Sequence, residues 1–149
     1  MALALILLTL VLSAFFSGSE IAFVTANRLK TEVRARQAGR LGRVVQQFLA
    51  DPGTFLTTTL VGNNVALVVY STMMSLALEP SLTGLFETRL GITDPTVWVL
   101  ATQTIVAALL VLVVGEVIPK SLLRQPSGRT LFALAGPLQV TYWLFWPVI

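Results

Sequence analysis

The chain has 149 residues, of which 55% are hydrophobic and only 11% charged, and its net charge is +3. Soluble domains carry about 25% charged residues, so this composition, with a mean hydropathy of +0.82, marks an integral membrane protein of a few spans in one compact domain. With neither cysteine nor histidine, disulfides, thiolate centres and imidazole-ligated zinc, copper or haem iron are excluded on ligand supply. Hydroxyl, amide, carboxylate and carbonyl oxygens remain, and these suit Mg²⁺, Ca²⁺, Na⁺ or Mn²⁺.

Residues 2–26 are almost wholly apolar, with a polar interruption at Ser17-Gly18-Ser19-Glu20. No Lys or Arg precedes the apolar core, and apolar character resumes at Ile21. Both points favour a first membrane helix interrupted at 17–20 over a cleaved signal peptide. Residues 27–50 hold Arg28, Lys30, Arg34, Arg36, Arg40 and Arg43 against one acid, Glu32. Apolar residues recur there at helical spacing, which predicts a basic juxtamembrane helix-turn-helix on a lipid surface, with Gly39 and Gly42 at the break. The position beside a span points to anionic headgroups or a cytosolic domain and away from nucleic acid. Asp51-Pro52-Gly53 signals a helix start. A second span is expected over 54–78, with a polar knot at Gly62-Asn63-Asn64. Residues 79–94 read as an acidic loop. A third span is expected over 97–115, ending in Gly115-Glu116-Val117-Ile118-Pro119-Lys120. A short polar stretch follows, with Arg124, Gln125, Pro126 and Arg129. Residues 131–149 then form an additional membrane segment, short or re-entrant, bent at Pro137.

The positive-inside rule places the first and third loops in the cytosol and the N-terminus and acidic loop outside. Depths then follow from the helical rise. Ser17 to Glu20 lie about 23 to 27 Å below the outer end, and Glu116 about 27 Å below Trp98. Asn63 lies about 15 Å above Pro52. In a core of about 30 Å all three groups fall in the cytosolic half, where a single ion site would gather them. Isolated polar groups there also have plainer uses, in small-residue packing and interhelical hydrogen bonding.

The stretch Gly115–Lys120 carries the most chemistry. A carboxylate at the end of a long apolar run is costly, by roughly 2.5 kcal/mol or more. Pro119 has no N–H, so in a continuing helix the Gly115 carbonyl is freed beside the Glu116 carboxylate. Carboxylate and freed carbonyl together are hard ligands for a cation at a broken helix. The plainer alternative is an interfacial helix end, with Gly as cap, Pro as stop and Lys120 reaching the headgroups.

The motifs FFSGSEIAF (15–23), LVGNNVA (60–66) and GEVIPK (115–120), in this order and spacing, resemble the CorC/CNNM (cyclin M) magnesium transporter family over the whole chain. The resemblance implies an all-α membrane domain of three transmembrane helices plus a shorter fourth segment, assembled as a homodimer. It implies Mg²⁺ export driven by Na⁺ influx, and regulation by cytosolic CBS domains, to which nothing in this chain corresponds. Carried residue by residue, the metal site falls on Ser17, Ser19, Asn63, Gly115 and Glu116, with Gly18, Glu20 and Asn64 beside it. Pro119 supplies the helix break. Glu20 either pairs with Lys120 or joins the field of the site. One departure stands out: Leu67 occupies a position where the family often has a third Asn, which leaves any Na⁺ role there unassigned. A Mg²⁺-sensing or scaffold protein that moves no ions is the alternative function. An intramembrane enzyme using Glu20 and Glu116 as acid and base finds no nucleophile–base pair to support it.

Overall fold

The computed structural model describes residues 2–124 and 130–147. Gln125, Pro126 and Arg129 of the expected polar connection, and the last two residues of the expected fourth segment, lie outside the described residues. Helix α1 (Ala2–Thr25) is one unbroken α-helix of 24 residues. The interruption expected at Ser17–Glu20 does not occur. The Ser19 hydroxyl donates to the Phe15 carbonyl one turn back, at 2.7 Å, so this polar group is satisfied without opening the helix. Continuous helices are what hydrocarbon favours, because every backbone group must find a partner there.

Two short basic helices follow, α2 (Arg28–Gln37) and α3 (Gly39–Ala50). Asn27 caps α2 by accepting the Lys30 N–H at 3.0 Å. Gly39, with φ of +58°, makes the turn. Gly42 instead lies inside α3, where a Cβ would stand 1.9 Å from the Ala35 carbonyl oxygen. It is the point at which α2 and α3 cross in backbone contact.

Helix α4 (Pro52–Leu90) has 39 residues and so is about 58 Å long, well beyond the membrane thickness. Asp51 caps it, accepting the Thr54 N–H at 3.2 Å and the Thr54 hydroxyl at 2.5 Å. The loop expected from residue 79 is helical as far as Leu90, with Pro80 inside the helix. The stop is Gly91, with φ of +65°, where the N–H groups of Gly91 and Ile92 both turn to the Phe86 carbonyl. The third apolar helix starts as α5 (Thr96–Leu110), widens into a π-turn over Val111–Val117, and continues as α6 (Ile118–Leu123). In the π-turn the Ile118 N–H bonds the Val113 carbonyl, five residues back. Helix α7 (Thr130–Phe145) has 16 residues. At about 24 Å it falls short of the hydrocarbon thickness.

Among the described residues, three helices are long and apolar enough to cross a membrane: Ala2–Thr25, Pro52–Leu90 and Thr96–Leu123. Helix α1 is central, packing on α4, on the π-turn and α6, and on α7. Large apolar side chains such as Leu3, Leu7, Val11, Leu60 and Ile105 are exposed on the outer surface, a distribution suited to lipid and not to water. The interior has two apolar clusters. One joins Phe16, Val45, Phe48, Phe55 and the α7 stripe Leu131, Ala135 and Leu138; Phe23 and Phe55 stack there at 3.9 Å between centroids. The other joins Ile6, Leu10, Tyr70 and Met74. Along α1 and α4 the polar residues Ser13 and Asn63 fall between these clusters.

Candidate metal centre

Ser13 and Ser17 stand one turn apart on α1, on the same side of the helix, and are 0% and 3% exposed. The Ser13 hydroxyl donates to Asn63 Oδ1 of α4 at 2.9 Å. Gly115 of the π-turn is buried against the same serine: a Cβ there would lie 3.0 Å from Ser13 Oγ and 3.4 Å from Ser13 Cβ. The third span therefore brings bare backbone to α1 where α4 brings an amide. One turn further, a Cβ on Gly18 would lie 2.6 Å from Leu123 Cδ1 and 3.5 Å from Pro119 Cβ, so the helix beyond the π-turn also presses on α1. Between these contacts the Ser17 hydroxyl is buried with no hydrogen-bond partner. Buried hydroxyls are almost always paired, so an orphan in a polar seam points to a ligand.

Glu116 follows Gly115 in the π-turn, its side chain 33% exposed, and Lys120 Nζ stands 3.7 Å from its carboxylate. Lys120 thus pairs with the acid one turn back on its own helix, and Glu20 is exposed on α1. Pro119 does not end the helix. It sits in the first turn of α6, where a missing N–H is tolerated. The break expected there is a widened turn, whose extra backbone moves the preceding carbonyl away from the proline ring. In the five-residue register the carbonyl facing position 119 belongs to Val114, and in the four-residue register to Gly115. π-Turns of this kind recur at functional sites.

Of the residues singled out in the sequence, Asn63 and Gly115 meet directly at Ser13, with Ser17 beside them and Glu116 next in chain. Ser19 lies about 200° round α1 from Ser17 and spends its proton on Phe15. Asn64 is exposed. It lines a groove of about 570 Å³ between α4 and α5, away from Ser13. Ser13 itself was not singled out. Its signal was available in the four-residue spacing to Ser17. Among the described residues no three His, Cys, Asp or Glu side chains come together as metal ligands, so any cation here would be held mainly by neutral oxygens.

Three apolar helices with a buried polar seam between two apolar clusters define a multi-pass membrane protein with an intramembrane polar centre. The chain matches the family model for the cyclin M transmembrane N-terminal domain over residues 3–149 and belongs to the CNNM family. It is 30% identical to the UPF0053 inner membrane protein YfjD of Escherichia coli (strain K12), over 87% of this chain and 28% of that protein. It is 27% identical to the UPF0053 protein YhdT of Bacillus subtilis (strain 168), over 99% of this chain and 32% of that protein. It is 28% identical to the UPF0053 protein MG146 homolog of Mycoplasma pneumoniae, over 98% of this chain and 34% of that protein. The chain thus spans about a third of the length of these curated relatives.

Proposed function

We propose that this domain carries Mg²⁺ across the membrane, as the membrane part of an exporter coupled to Na⁺ influx. The observation that supports it most is the buried, unpartnered Ser17 hydroxyl beside the junction of Ser13, Asn63 and Gly115. Mg²⁺ prefers oxygen ligands and gives up water reluctantly. Ser17 Oγ, the Asn63 amide oxygen and the Gly115 carbonyl supply neutral oxygens, and Glu116 supplies the one carboxylate. Ser13 positions the Asn63 amide. Ser19, which the family resemblance includes, donates to the Phe15 carbonyl, and Asn64 is exposed; neither belongs to this ligand set. A single carboxylate binds weakly enough to release the ion, which transport requires. Lys120 neutralises Glu116 when no ion is bound, and the incoming cation takes its place.

In this proposal the basic helices α2 and α3 face the cytosol and the N-terminus lies outside, following the charge bias of the loops. The working unit is a homodimer, and the cytosolic CBS domains of a longer protein regulate it. The test is Mg²⁺ flux in proteoliposomes containing the purified protein, with Asn63→Ala alongside. Flux that is lost in Asn63→Ala is the expected result. A wild-type protein that binds Mg²⁺ without flux would move the assignment to a sensor or scaffold.

A further inference from the structure

Helix α2 packs on α3 and, among the described residues, on no other helix. Its inner side is Thr31 and Ala35, both buried. The opposite side is uncovered: Leu29 and Val33 stand there one turn apart, 76% and 61% exposed. At about 100° per residue, Lys30 and Arg34 fall on one flank of this apolar pair and Arg36 on the other. Leu29, Lys30, Val33, Arg34 and Gln37 line an open groove of about 440 Å³. The two flanks differ in their charge. Arg36 is paired at 3.2 Å with Glu32, the one acid of the helix. Among the described residues Lys30 and Arg34 have no ion-pair partner. The chain also gives this face little freedom to leave the bilayer. Helix α1 ends at Thr25 and α2 begins at Arg28; α3 ends at Ala50 and α4 begins at Pro52. The pair is thus tied at both ends to a membrane span. Helix α2, of 10 residues, is about 15 Å long and stays within its own length of the membrane boundary.

We propose that the uncovered face of α2 is a docking surface for the headgroups of anionic phospholipids. Leu29 and Val33 enter the boundary of the acyl chains. Lys30 and Arg34 hold phosphoryl oxygens, the lysine as a point charge and the arginine through paired N–H donors. Two apolar side chains alone hold a helix on a bilayer only weakly, so charge sets the preference. Each unpaired cation near an anionic surface favours docking by about fivefold, and a zwitterionic headgroup, with its own ammonium, gives no such gain. The tether decides between a bilayer and a soluble acidic partner, because the bilayer is the surface always within reach. Bare leucine and valine bracketed by cations also match its layering, hydrocarbon beneath phosphate. The inference does not rest on ion transport and uses none of the residues at the Ser13 junction.

The chain has no cysteine, so Leu29→Cys gives a single site for an environment-sensitive fluorophore, and Val33→Cys a second, independent one. The labelled full chain is placed in nanodiscs of phosphatidylcholine alone or of phosphatidylcholine mixed with phosphatidylglycerol. In the mixed discs the emission should shift to the blue and be quenched by lipids spin-labelled near the top of the acyl chain. In phosphatidylcholine alone it should stay that of a probe in water. Raised NaCl should weaken the shift, and inorganic phosphate added to phosphatidylcholine discs should not produce it. Lys30→Gln with Arg34→Gln should remove the response to phosphatidylglycerol, as the loss of about fivefold per cation requires. A probe in water in both lipids would overturn the docking surface and leave the face to a soluble partner. A blue shift equal in both lipids, or one that survives the loss of both cations, would overturn the assignment to anionic headgroups.

Discussion

Ser17→Ala should raise stability without Mg²⁺ and remove the response to it. The side chain is 3% exposed and its hydroxyl has no partner. A buried hydroxyl in that state costs about 1–3 kcal/mol relative to a paired or absent one. Rotation about χ1 lets the serine reach a carbonyl one turn back, which relieves part of that cost. The lower end, about 1 kcal/mol or roughly a fivefold change in the folding equilibrium, is therefore expected. The methyl of alanine fills nearly the same volume, so little cavity is created to offset the gain. With Mg²⁺ the order reverses: the wild type gains binding free energy, which grows with the logarithm of concentration above Kd, and the variant does not. Melting curves in detergent, in EDTA and in millimolar Mg²⁺, should cross. A variant less stable than wild type in EDTA, or one whose Mg²⁺ shift is undiminished, would refute the assignment of Ser17 as a ligand.

Glu116→Gln keeps the side-chain shape and loses the charge. Its partner Lys120 is 43% exposed, so stability without Mg²⁺ should change by only about 0–1 kcal/mol, while the Mg²⁺ shift in melting temperature should vanish. Gly42→Ala would drive a methyl to 1.9 Å from the Ala35 carbonyl oxygen; forced separation of α2 and α3 should cost about 1–3 kcal/mol and appear as faster proteolysis of residues 28–50. Hydrogen bonds from the Thr54 hydroxyl and N–H hold the Asp51 carboxyl below its ordinary value of 3.8. The contribution of this cap is complete above that value and is lost as pH falls through the depressed one. Acid titration of the melting temperature should show the loss in the wild type and not in Asp51→Asn, which keeps an acceptor at the cap without the titration.

The three spans, the α2–α3 turn at Gly39 and the Asp51 cap were legible because each rests on local chemistry: apolar length, a glycine at positive φ, a carboxylate before a helix start. The breaks were not. Ser17, Gly18, Ser19 and Glu20 interrupt the apolar pattern of α1 without interrupting its backbone, since the Ser19 hydroxyl returns to its own helix. The stretch after residue 78 looked like a loop because it is polar and contains Pro80. A polar segment that leaves the membrane simply prolongs the helix already formed, until Gly91 stops it. The depth comparison along the three spans set Ser17, Asn63 and Glu116 at a similar level; the contact between α1 and α4 runs through Ser13, one turn from Ser17. Depth fixes a level and not an azimuth; the four-residue spacing of Ser13 and Ser17 carries the azimuth.

The wide turn at Val111–Val117 makes the third span sensitive to residue count in a way the other two are not. Each residue advances an α-helix by about 1.5 Å and 100°. Deleting one residue there would let the segment relax to ordinary winding: the flanking helix would keep its azimuth, and the widened turn that holds Gly115 and Glu116 would be lost. Substitutions on the lipid side of this span should therefore be tolerated far better than a single deletion between 111 and 117. The same surplus gives the span a thread along which the turn can migrate. As it passes a residue it re-aims one side chain at a time while the helix stays whole. A carboxylate that must face an ion at one moment and a lysine at another is served by such a thread better than by a hinge, which would expose backbone to lipid.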